Sequence, residues 1–131
     1  MSDPVLSQAD QHRLATVLEH RRAELRREVK QTLDGSEDDR VVGLRRRLEE
    51  NDDWGVADGV AELDIAEVRH ALSELMEVDA ALERVRAGTY GVCVDCAEPI
   101  APARLLVNPA ARRCISCQEA FEIRHRNHAV R

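Results

Sequence analysis

The residues with the clearest chemical potential are four cysteines arranged as two C-x-x-C pairs, Cys93/Cys96 and Cys114/Cys117, with 17 residues between the pairs. Two such pairs at this separation are a strong zinc signal, because each C-x-x-C turn puts two thiolates on one knuckle and two knuckles complete a tetrahedron. All four ligands come from the protein, so no coordination position stays open for water. This is the chemistry of a structural site rather than a hydrolytic one. A redox dithiol would need one pair beside a βαβ pattern, which the chain lacks. His125 and His128 have ligand-like spacing, but four thiolates already fill the shell. No Ser/His/Asp or Cys/His catalytic set and no phosphate-cradling glycine loop emerges, so no enzymatic activity is expected.

The segment between the cysteine pairs is short and punctuated by Pro99, Pro102 and Pro109. Ile100, Leu105, Leu106 and Val107 are its candidates for packing over the metal. So small a core cannot offset its own chain entropy, and metal binding is expected to supply much of its folding free energy. The pattern predicts a small zinc ribbon, followed after Cys117 by a short helix in which Phe121 and Ile123 are available to pack.

The rest of the chain must hold this clip. Of 131 residues, 34% are charged and only 2% aromatic, with Trp54, Tyr90 and Phe121 the whole aromatic set. That balance favours long helices over a thick core. The formal net charge of -6 excludes general attraction to nucleic acid. There is no apolar run long enough for a membrane span, and the N-terminus lacks the layout of a signal peptide. A cytoplasmic protein is expected, in a compartment where paired cysteines more often hold metal than form disulfides.

From about Ser7 to Leu33 the sequence reads as a helix, with Ser7 as cap and Asp10 three residues on. Leu18, Leu25 and Thr32 recur at seven, flanked by Leu14 and Val29, with Arg21 and Glu28 in the same stripe. A narrow apolar seam on a charged rod is the mark of a coiled coil. Gly35 and the surrounding acids predict a kink or break near 34–36, with Ser36 and Asp39 capping a new helix that places Val41, Leu44 and Leu48 on one face. NDDWGVADG, residues 51–59, predicts a turn. From about Val60 to Ala87 a second rod follows, with seams through Ile65, Leu72 and Asp79 and through Val68, Leu75 and Leu82, closed by Gly88. Two such rods joined by a polar turn should fold back on each other; a parallel dimer between chains is the alternative. The expected architecture is mainly α: an antiparallel coiled-coil helical hairpin over 7–87, then a small four-cysteine zinc ribbon with a C-terminal helix over 88–131.

The run C-x2-C-x3-I-x3-R-x4-P-x4-C-x2-C, built from Cys93, Cys96, Ile100, Arg104, Pro109, Cys114 and Cys117, resembles the DksA/TraR family of four-cysteine zinc-finger proteins, also called DnaK suppressor proteins. GTYGVC, CISCQEAFE and LEHRRAELRREV look like the family too, and the resemblance runs from about Leu14 to Arg124. It implies a zinc-containing transcription regulator that binds bacterial RNA polymerase and inserts its hairpin tip into the secondary channel, with the alarmone ppGpp as a candidate co-regulator. No sequence-specific DNA binding is expected, because Arg104, Arg112 and Arg113 give the ribbon only a modest basic patch. Membrane association is not expected either, and a monomer is expected. The best-studied members carry a D-x-x-D-x-A tip signature; the nearest window here is Glu50-x-x-Asp53-x-Gly55. Asp53 falls where the second aspartate would lie, and Asp52, Glu50 and Trp54 are the other candidate tip contacts. Trp54 could instead fold over Leu48 or Val56 to staple the loop. Where such members hold ppGpp with basic residues, this chain has Glu77, Asn108 and Gln118. The resemblance therefore implies polymerase binding with an altered promoter effect or altered ppGpp dependence. A zinc-stapled coiled-coil adaptor for another protein is the competing reading.

Overall fold

A computed structural model describes residues 6–51 and 65–129. The described chain is mainly helical. Helix α1 spans Gln8–Asp34, α2 Asp39–Asn51, α3 Ala66–Ala87, α4 Pro102–Val107 and α5 Ile115–Ala129. It divides into two compact units, one of residues 20–79 and one that joins 6–19 to 80–129. The early part of α1 packs in the unit that holds the end of α3, and the later part in the unit that holds its start. This is the pairing of an antiparallel hairpin. The expected tip residues Asp52, Asp53 and Trp54 lie outside the described residues.

In the unit of residues 20–79, Leu25, Val29 and Leu33 of α1, Val41 and Leu48 of α2, and Val68, Ala71, Leu72, Leu75 and Val78 of α3 form the buried apolar seam. Each large aliphatic side chain removed from water contributes about 1.5–3 kcal/mol. Charged residues flank the seam. Arg21 grips Glu74 with two parallel bonds, Nε at 2.6 Å and Nη2 at 2.8 Å, and Arg22 Nε meets Asp79 at 2.6 Å. Thr32, expected in the seam, is exposed and donates to the Glu28 carbonyl, while Leu33 takes the buried place. A strict seven-residue count slips against a 3.6-residue helix, and the step from Val29 to Leu33 restores the apolar face. Between α1 and α2 the caps also differ from expectation. The Asp38 carboxylate, rather than Asp39, accepts the Arg40 N–H at 2.9 Å, and Ser36 Oγ accepts the Asp38 N–H. Arg45 ties back to the Asp34 carboxylate at 2.5 Å across the break.

In the other unit α1 begins as its sequence predicts, with Ser7 Oγ accepting the Asp10 N–H at 3.0 Å. Leu14, Leu18, Ala81 and Leu82 are buried. At the end of α3, Gly88 adopts φ 78°, which frees Thr89 N to donate to the Arg84 carbonyl and Gly88 N to the Val85 carbonyl. This left-handed closing turn satisfies the orphan carbonyls and redirects the chain toward the first cysteine pair. Gly91 is a second left-handed residue, at φ 86°, and a Cβ there would stand 3.1 Å from the Leu6 side chain.

The cysteine module is less strand-like than a ribbon. Among the described residues its β pairing is a single antiparallel bridge, Val92 to Pro99. Helix α4, which the sequence reading did not anticipate, fills the segment between the pairs. Pro102 opens it, with a fixed φ suited to the first helical turn. Successive residues rotate by about 100° around a helix, so Leu105 turns fully inward while Leu106 and Val107 are 63% and 87% exposed. Of the four residues expected to pack over the metal, Ile100 and Leu105 are buried and Leu106 and Val107 are not. The last helix begins before Cys117, at Ile115, so the second pair straddles its first turn.

Candidate metal centre

The four Sγ atoms of Cys93, Cys96, Cys114 and Cys117 all lie within 4.8 Å of one another, and Cys96 and Cys114 are 3.9 Å apart. A tetrahedral zinc with sulfur at about 2.3 Å requires sulfur–sulfur separations of roughly 3.8 Å. The donor set fits one zinc ion with a closed thiolate shell.

Backbone bonds hold each knuckle. Cys93 N donates to the Glu98 carbonyl at 2.8 Å and Ala97 N to the Cys93 carbonyl at 3.0 Å, wrapping residues 93–98 into a turn. Ala97 sits at φ 63°, a left-handed position that glycine would fill without strain. Val94 N donates to the Arg112 carbonyl at 2.9 Å, joining the first knuckle to the strand of chain entering the second. Gln118 N donates to the Cys114 carbonyl, which places the second pair on the opening turn of α5.

The thiols are strongly unequal. Burial pushes the Cys93 thiol up, but backbone N–H groups of Cys96, Cys114 and Asp95 outweigh it and bring it down to about 6. Cys117 is pushed up to about 12, chiefly by its hydrogen bond with Cys114, and Cys96 is raised as well: the Glu98 backbone pulls it down, and Cys93 together with desolvation outweighs that pull. The backbone donors thus favour the thiolate form at Cys93, while Cys96 and Cys117 hold their protons more tightly. A divalent metal would replace the thiol protons and offset two of the four negative charges on the converging sulfurs.

Around the sulfurs lies a shell that explains the other motif positions. Tyr90 is buried and donates its hydroxyl to the Pro109 carbonyl at 2.8 Å. Arg104 Nε donates to the Arg113 carbonyl at 3.0 Å, tying α4 to the second pair. Arg113 in turn donates to Asp95 at 2.7 Å, and its guanidinium lies 3.9 Å from the centre of the Phe121 ring. The Tyr90 and Arg113 roles were missed in the sequence; one signal was that Tyr90 is the only tyrosine and stands three residues before Cys93. His125 stacks on Phe121 and its Nδ1 contacts the Phe121 carbonyl, away from the thiolates. Of the tip candidates, Glu50 is described: it lies exposed on α2, 4.0 Å from Arg46. Glu77 and Asn108 are exposed, and Gln118 donates to Glu122.

A closed four-thiolate centre preceded in the chain by an antiparallel helical hairpin defines a helical C4 zinc-finger protein. Residues 88–122 match the prokaryotic dksA/traR C4-type zinc finger. The RNA polymerase-binding transcription factor DksA of Caulobacter vibrioides is 43% identical over 54 residues, covering 41% of this chain and 38% of that protein. An uncharacterised protein of Aquifex aeolicus is 43% identical over 51 residues, 39% of this chain and 35% of its own length. The chain thus aligns with little more than a third of the length of these two relatives. An uncharacterised 8.2 kDa protein of Escherichia phage P2 is 33% identical over 63 residues, 47% of this chain and 85% of that protein. The likeness extends beyond the finger in three dimensions: the structure of transcription factor DksA2 from Pseudomonas aeruginosa superposes with a TM-score of 0.60 at 28% identity, over 92% of this chain and 88% of that one. Residues 88–122 thus carry the C4-type zinc finger of the DksA/TraR family, in a chain whose fold is similar to that of DksA2.

Proposed function

We propose that this protein is a non-enzymatic transcription regulator that binds bacterial RNA polymerase and presents the tip of its hairpin to the secondary channel. The observation that carries this reading is the similarity to DksA2 across 92% of the chain, hairpin included, and not across the finger alone. A relative that shares the finger is described as RNA polymerase-binding. In this reading the finger is a metal-locked base and the hairpin a charged rod that carries acidic groups to a distant site.

Asp53 is proposed as the tip acid that acts near the polymerase active centre, with Asp52, Glu50 and Trp54 beside it. Glu77, Asn108 and Gln118 supply no positive charge for a tetraphosphate ligand, so the promoter effect, or its dependence on ppGpp, is proposed to differ from that of the best-studied members. The test is capture of core RNA polymerase by the zinc-loaded protein, followed by transcription from a responsive promoter. Binding is expected, and Asp53→Asn is expected to weaken the promoter effect while leaving binding intact. An unchanged effect removes Asp53 from the mechanism. A zinc-stapled adaptor for another protein is favoured by one observation, the departure of Glu50-x-x-Asp53-x-Gly55 from the D-x-x-D-x-A tip signature. It would be supported by the absence of polymerase capture.

A further inference from the structure

Charge is divided sharply along this chain. Residues 84–131 hold eight Lys/Arg against four Asp/Glu, a net of +4, which leaves -10 for residues 1–83. In the unit that contains the cysteine module, the arginines do not all find acids. Arg113 has Asp95 and Arg86 has Glu83. Arg84 and Arg112 have no carboxylate partner among the described residues.

Arg84 is the informative one, because it is half-buried rather than free in solvent. Its Nη2 reaches the Ala110 carbonyl at 3.5 Å, a long contact that leaves most of its donors unspent. That contact lays the guanidinium against the segment 110–112. Arg112 lies two residues beyond Ala110, so their Cα atoms are at most about 7.6 Å apart along the chain. Arg112 is exposed, and its own carbonyl is committed to Val94 N. Desolvation, and next the charge of Arg112, hold the Arg84 guanidinium below the usual arginine range. Tyr90 is close enough to act on Arg84 as well, but its hydroxyl is spent on Pro109.

Partly burying one cation next to another is costly unless an anion completes the arrangement. Among the described residues no carboxylate supplies such an anion here. Two guanidinium groups offer planar, paired N–H donors that match the tetrahedral oxygens of a phosphate and its double charge. We propose that Arg84 and Arg112 form an oxyanion site on the cysteine module that takes a phosphate group, free or carried as a monoester. The site uses none of the zinc-binding thiolates and no tip chemistry, and it does not require the polymerase reading.

The test uses the full zinc-loaded chain and follows the Nε–H resonances of arginine by NMR. Inorganic phosphate and a nucleoside 5′-monophosphate are titrated separately, each against chloride at matched ionic strength. Saturable shifts of Arg84 and Arg112 with phosphate, absent with chloride, are expected. Arg112→Gln, an exposed change that leaves the fold intact, should weaken phosphate roughly tenfold, the worth of one charge-assisted contact. Arg13→Gln, on exposed α1 surface, should leave it unchanged. Tighter saturation by the monoester than by free phosphate would identify a carried phosphate; equal saturation would identify the free ion. Shifts that track ionic strength alone, or phosphate saturation that survives Arg112→Gln, would overturn the proposal.

Discussion

The four sulfurs differ in how readily they give up protons, and this inequality governs how the metal is taken. Cys93, brought down to about 6 by backbone N–H groups, is the natural first ligand at neutral pH. Cys117, pushed up to about 12, and Cys96 must each lose a proton as zinc enters. Zinc affinity is therefore expected to fall by roughly tenfold or more per pH unit on acidification, which competition with a chromophoric chelator between pH 8 and pH 6 would measure. A pH-independent affinity would contradict the account. Tyr90 offers a second residue-scale test. Burial pushes its hydroxyl up to about 12, so its contribution is full below its ordinary value near 10 and is lost as pH rises toward 12. Tyr90→Phe should cost about 1 kcal/mol, because the Pro109 carbonyl loses its donor, and chemical denaturation would detect it. The zinc ligands were legible from spacing alone, since C-x-x-C pairs specify local geometry. The Tyr90 and Arg113 contacts were not, because they join positions 18 or more residues apart through a fold the sequence does not spell out.

At the scale of the elements, the hairpin rests on its seam, with ion pairs flanking it. Glu74 is held below the usual carboxylate range by its hydrogen bonds from Arg21. Its contribution is thus present above that range and disappears as pH falls through the depressed value. The pair is part-exposed, so Glu74→Gln should cost no more than about 0.5–1 kcal/mol, and less at high salt. Leu25→Ala, in contrast, should cost about 2–5 kcal/mol by opening a void in the seam, and thermal denaturation would rank the two. Helix existence and the break near residue 35 could be read from periodicity and glycine placement. Thr32 was misassigned because a seven-residue count drifts on a 3.6-residue helix. Helix α4 was missed because six residues between prolines show no full period, and only Pro102 hints at its start. Hydrophobicity alone places Leu106 and Val107 in the core, because it cannot report the direction in which a short helix turns them.

For the whole molecule, the finger and the hairpin ask different things of the chain. The finger is expected to fold around its metal, whereas the hairpin buries a seam of its own. Removing zinc with a strong chelator, or Cys114→Ser, should erase the ordered signals of residues 88–122 while most far-UV helicity remains. Ribbon signals that survive complete zinc removal would break this division. The same division frames function, since a metal-locked base suits a fixed docking element and a charged rod suits reach. The most direct measurement is binding of the zinc-loaded protein to core bacterial RNA polymerase, made beside a variant in which residues 51–59 are replaced by a short glycine–serine turn. The account predicts that both bind and that the native chain alone changes transcription from a responsive promoter. Failure of the native chain to bind core polymerase would contradict it.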